Sequence, residues 1–119
     1  MRYKSFCEMP VWQKSNDFAL KVFNQTINLP RSEDYGLTSQ LRRSSNSVSG
    51  NIAEGFGRKT RKDKANFYIV ARGSSFETQS HLLYASKFGY IDERRVQEII
   101  NEYCELVHDL NKIINALTS

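Results

Sequence analysis

Turn-forming residues are scarce: the 119 residues include six Gly and two Pro. That is too few for the closely spaced turns of a many-stranded β-protein. Cysteine is scarcer still. Cys7 and Cys104 stand alone, without the paired spacing of a zinc or redox site. They predict a reducing, cytoplasmic setting. No apolar run approaches the roughly 20 residues of a membrane span, so no membrane role is expected. Met1 to Pro10 lacks the apolar centre of a secretory leader. What is present suits a folded chain. Hydrophobic residues make up 39% and charged residues 25%, too apolar a mixture for disorder. The length fits a single domain over residues 1–119.

The apolar residues repeat at three- and four-residue spacings in four segments, which predicts helices at about 11–29, 37–56, 61–88 and 93–117. The first stripe is Val11, Ser15, Phe18, Val22, Thr26 and Leu29, widened by Trp12, Ala19 and Phe23. Pro30 stops it. The second stripe is Leu37, Leu41, Ser44, Val48, Ile52 and Phe56, through a run of small polar residues that are weak helix formers. Packing must support that helix. Thr60 reads as the N-cap of the third helix and Asp92 as that of the fourth. The third stripe is Phe67, Ala71, Ser74, Thr78, Leu82 and Ala85, and Gly89 follows its end. The fourth runs from Val96 to Leu117; Cys104 is expected there as a small apolar filler. Short connections favour antiparallel neighbours, so the expected fold is an all-α, antiparallel up-down-up-down four-helix bundle.

The net charge is +4, and its distribution is more telling. Residues 42–72 carry eight basic side chains against Glu54 and Asp63, whereas residues 92–119 carry three basic and six acidic ones. The basic set is Arg42, Arg43, Arg58, Lys59, Arg61, Lys62, Lys64 and Arg72. Lys62 and Lys64 begin a helix, where the dipole favours carboxylates, so another demand is expected to keep them there. Counting back and forward from the turn places Arg42, Arg43 and Arg72 at similar heights on the hairpin. A basic end with a second basic belt suits phosphate backbones. No base-reading motif accompanies it.

Catalytic and metal chemistry find little support. Glu105 and His108 have the Glu-x-x-His spacing of di-iron bundles. Relative to the buried Tyr103 direction they fall near 200° and 140°, away from the core. The serines lack a Gly-x-Ser-x-Gly elbow, and Gly55 to Thr60 lacks the spacing of a phosphate-binding loop. Neither an enzyme, a cofactor nor a metal is expected. Asn51, Glu54 and Glu77 lie near the apolar stripes and are expected to serve structural hydrogen bonds.

Several segments carry a resemblance. They are Val11-Trp12-Gln13-Lys14 with Asp17, Tyr35 to Arg43, Asn51 to Arg58, Ala71-Arg72-Gly73-Ser74 with Glu77, and Gly89-Tyr90. Together they resemble the four-helix-bundle proteins encoded in intervening sequences of bacterial 23S ribosomal RNA genes. The resemblance implies a homopentamer. It also implies similarity to the accessory variability proteins of diversity-generating retroelements, which bind nucleic acid and a reverse transcriptase. Two places depart from the pattern, one of them Gln79-Ser80, where the family has Glu-Thr after Glu77. Ser44 to Gly50 stands where the family commonly has Ala-Ala-Val-Ser-Ile-Pro-Ala, so Ser49 replaces a proline. The reading that follows is a non-enzymatic oligomer that binds RNA or DNA through the basic hairpin. The alternative is a protein-interaction scaffold or an accessory subunit of a nucleic-acid enzyme such as a reverse transcriptase.

Overall fold

The computed structural model describes residues 3–119. Four helices follow in order: α1 (Pro10–Thr26), α2 (Leu37–Phe56), α3 (Arg61–Lys87) and α4 (Glu93–Thr118). Short 3-10 turns precede α1 at Phe6–Glu8 and α2 at Arg31–Glu33. The helices form an antiparallel up-down-up-down bundle, 43 Å along its longest axis. Each packs on its neighbours in the order α1, α2, α3, α4 and back to α1, so α1 and α3 occupy opposite corners. The cross-helix pairs fix the directions. Lys14 meets Asp109 and Lys21 meets Glu102 between α1 and α4. Ser44 meets Thr78 and Ser47 meets Ser74 between α2 and α3.

The expected punctuation explains most of the boundaries. Thr60 Oγ1 accepts from the Asp63 N–H, and Asp92 Oδ2 accepts from the Arg95 N–H, so each satisfies an otherwise unpaired first-turn donor. Gly89 takes φ +86°, a left-handed conformation that suits glycine, just beyond α3. One boundary moved. α1 stops at Thr26 instead of continuing to 29. The residue before a proline avoids the helical region, and the chain tightens ahead of Pro30 through Ile27 N–H to Asn24 O and Leu29 N–H to Thr26 O. That turn still delivers Leu29 to the core.

The predicted stripes converge. Val22, Leu41, Val48, Ile52, Leu82, Ile99, Tyr103, Leu106 and Leu110 are fully enclosed. Phe18 meets Tyr103 edge to face at 5.3 Å, joining α1 to α4. Between α2 and α3 the seam consists mostly of small and hydroxyl side chains. Ser44, Ser74 and Thr78 are buried there, while Ser45, Ser49 and Ser75 are buried elsewhere on the same two helices. Thr78 donates to Ser44 Oγ at 2.9 Å, and Ser49 donates back to Asn46 O at 3.2 Å. Their small size brings the two backbones close. A Cβ on Gly55 would stand 2.7 Å from the Tyr68 ring. With Ser49 at the proline position, α2 runs unbroken.

Two expectations about side-chain placement fail. Cys104 is exposed on α4: one residue beyond Tyr103 turns it about 100° from the core direction. Phe23 is 44% exposed instead of widening the buried face; it carries the Arg42 guanidinium, 4.0 Å from its ring centroid.

Candidate nucleic-acid interface

The α2–α3 connection lies at the bundle end that also holds the start of α1 and the end of α4. Residues 58–64 place five basic side chains and the single carboxylate of Asp63 there. Two of the five have work inside the chain. Lys64 Nζ donates to Phe56 O at 2.7 Å and Gly55 O at 3.4 Å, satisfying carbonyls at the end of α2. Arg61 donates to Ala116 O near the end of α4. Lys64 thus opposes its own helix dipole but complements that of α2. For Lys64, though not for Lys62, this contact is the demand that keeps a cation at the start of α3.

Arg58 is partly engaged. It pairs with Glu54 at 2.9 Å and lies 4.5 Å from the Phe67 ring centroid, with 44% of its side chain still exposed. Lys59 and Lys62 are exposed and have no hydrogen-bond or ion-pair partner among the described residues. Lys62 belongs to the first turn of α3, whose N–H groups favour anions, and Lys59 directly precedes its N-cap. The opposite end of the bundle is different. Arg31, Lys87, Arg94 and Arg95 stand there against Glu33, Asp34, Asp92 and Glu93.

The second belt is not assembled. Arg42 lies over Phe23 and donates to Thr26 Oγ1 at 2.9 Å, in the groove between α1 and α2. Arg43 donates to Gln40 and Glu77, facing α3. Arg72 donates to Asn111 Oδ1 at 2.8 Å, in the groove between α3 and α4. The three arginines enter three grooves because consecutive helical residues diverge by about 100°. The heights also differ. Ser47 opposes Ser74, which sets Arg72 roughly 9 Å nearer the α2–α3 turn than Arg43.

The three polar candidates do not converge either. Asn51 is half-buried and donates to Ser47 O and Ser47 Oγ, as a structural hydrogen bond should. Glu54 is exposed and paired with Arg58, so it plays no part in the interior. Glu77 is half-buried and bonds Arg43 and His81. Burial alone would raise its pKa, but the His81 and Arg43 hydrogen bonds and their charge outweigh it and hold the carboxyl below its ordinary value. Glu54 and the Arg43 that meets Glu77 are eleven residues apart on α2, about 16 Å. The group thus forms no shared reaction centre.

Glu105 and His108 are exposed and face outward, as their angles predict. Among the described residues, no three His, Cys, Asp or Glu side chains gather as a metal site, and no helix is long and apolar enough to cross a membrane. Glu33 has no local sequence signal, because its partners are brought to it by the fold. It accepts from the Leu37 N–H and the Tyr90 hydroxyl, tying two connections together at the other end.

The family model described as 23S rRNA-intervening sequence protein matches residues 7–112. The chain belongs to this family. No curated protein matches this intervening-sequence protein. A solved structure similar to it comes from Bacteroides thetaiotaomicron, a protein of unknown function from the S23 ribosomal protein family. The two share 26% identity with a TM-score of 0.78, over 87% of this chain and 97% of that one. The bundle of this intervening-sequence protein is therefore shared with a solved relative across nearly its whole length.

Proposed function

We propose that this intervening-sequence protein is a non-enzymatic, cytoplasmic homo-oligomer that binds the phosphate backbone of RNA or DNA at the α2–α3 end. The observation that carries the reading is the pair Lys59 and Lys62. Both are exposed, neither has a protein partner, and no carboxylate but Asp63 lies in their segment. Arg58 and the first turn of α3 supply further attraction for an anion. Arg61 and Lys64 act first as caps, and Arg42, Arg43 and Arg72 belong to other grooves. Contacts of this kind position a phosphate backbone without reading sequence.

The resemblance to pentameric relatives supports a homopentamer. In a cyclic assembly, symmetry sets every copy of the Lys59–Lys62 end at the same height around the ring. A scaffold or accessory-subunit role, for example beside a reverse transcriptase, is the second reading. It is favoured by the large exposed apolar side chains of α1 and α3.

The test is fluorescence anisotropy with a labelled single-stranded RNA and a duplex DNA. Binding should weaken steeply with salt, and Lys59→Glu/Lys62→Glu should abolish it with helicity unchanged. Each lost phosphate contact should flatten the log–log salt slope by about 0.7 on a single strand. Binding that is indifferent to salt, or intact in the double variant, rules the interface out. A protein partner retained without any nucleic-acid affinity would favour the second reading.

A further inference from the structure

α3 ends in a tight turn that lines up aromatic rings. The Gly89 N–H donates to Ser86 O and the Tyr90 N–H donates to Ala85 O, the paired hydrogen bonds of a glycine-terminated helix. Gly89 turns the chain back, and Tyr90 comes to lie against Phe88. The Phe88 ring stacks on Tyr90 with centroids 4.9 Å apart and on Tyr84 at 5.6 Å, with interplanar angles of 27° and 22°. The other aromatic pairs among the described residues differ. Phe6 with Trp12 and Phe18 with Tyr103 meet edge to face, at 67° and 69°.

The column is anchored at one end and faces water at the other. Tyr90 packs against the core and donates its hydroxyl to Glu33 in the α1–α2 connection. A helix end of this type calls for one apolar contact across the turn, and Tyr90 supplies it. Phe88 and Tyr84 stand outward, 59% and 53% exposed. Tyr35, two residues beyond Glu33 in the same connection, is 99% exposed. Lys87 and Arg31 flank these rings in sequence. Both are exposed and have no hydrogen-bond or ion-pair partner among the described residues.

We propose that this ring column is a stacking platform for the unpaired bases of a single-stranded nucleic acid. Rings stacked in parallel offer a flat face to the next flat ring, and every base has one. A duplex keeps its bases stacked on one another and has none to spare. Lys87 and Arg31 give the flanking phosphates local partners. The four basic side chains at this end are matched by four carboxylates, so the bases, more than the phosphates, hold the strand here. The two ends of the bundle then do different work: Lys59 and Lys62 attract the backbone, and Phe88 selects strands with free bases. The proposal rests on phosphate binding at the α2–α3 end. It narrows the ligand to a single strand long enough to run the 43 Å length of the bundle.

The experiment compares a labelled oligothymidylate with an abasic strand of the same length, which has the phosphates and lacks the bases. Wild type should bind the thymidylate at least about fivefold more tightly, the gain from one stacked base. Phe88→Leu keeps apolar bulk and loses the flat ring. It should bind both strands equally, with the abasic affinity of wild type, and Phe88→Trp should restore the preference. Equal binding of the two strands by wild type, or a preference that survives in Phe88→Leu, overturns the platform and leaves the phosphate reading standing. A protein that binds neither strand overturns the phosphate reading and the platform with it. A changed oligomeric state of Phe88→Leu in light scattering would assign the ring to a subunit contact and overturn the platform.

Discussion

α3 and α4 are nearly equal in length, 27 and 26 residues, and pack side by side. Each contributes a continuous buried stripe. Their outer faces differ. α4 shows water Glu98, Asn101, Glu105, His108 and Lys112, the polar face of a helix whose needs are met inside one bundle. α3 shows Ile69, Val70, Phe76, Leu83 and Tyr84. Folding of a single chain accounts for α4 completely and for only half of α3. The unexplained half is where a surface for another molecule belongs.

Neighbouring leucines sharpen the contrast. Leu82 is fully buried and Leu83 is 45% exposed. Leu82→Ala should cost about 2–5 kcal/mol of stability through the cavity it leaves, read as a lower urea midpoint. Leu83→Ala should change stability of the folded subunit by only about 0.5 kcal/mol or less, yet weaken association at low concentration. Equal effects of the two substitutions on urea stability at concentrations where the protein is monomeric would erase the distinction between the faces.

A smaller effect concerns Glu77, which joins α2 to α3 near the edge of the outer stripe. Its carboxyl is held below its ordinary value in the folded state. Its contribution to stability is therefore complete above the ordinary carboxylate range and is lost as pH falls through the depressed folded value. Glu77→Gln should narrow the difference between urea midpoints at pH 7 and pH 3. Its side chain is 38% exposed, so solvent screening keeps the change modest.

The bundle was legible because local chemistry and periodicity agree: Thr60, Asp92 and Gly89 mark boundaries, and the inner stripes repeat at helical spacing. The outer stripe of α3 was not read. Its apolar residues interleave with the inner set, and a search for one buried face stops at the first. In sequence Lys64 and Arg61 resemble phosphate contacts, because their carbonyl partners lie on other helices. Arg42, Arg43 and Arg72 were grouped by sequence distance from a turn, but the Ser47–Ser74 contact sets the register. Lys59 and Lys62 are the members of the basic cluster that the fold leaves fully available.

The most direct test joins both outward surfaces in one titration. Labelled single-stranded RNA is added to wild type, Lys59→Glu/Lys62→Glu and Phe76→Asp at low and moderate salt. Wild type should bind tightly with a steep salt dependence. The lysine double variant should remain assembled and fail to bind. Phe76→Asp should keep its lysines but lose at least about tenfold in affinity, as expected when several linked sites become one. Undiminished binding by the double variant, or wild-type affinity in monomeric Phe76→Asp, would contradict an account in which assembly presents the basic ends together.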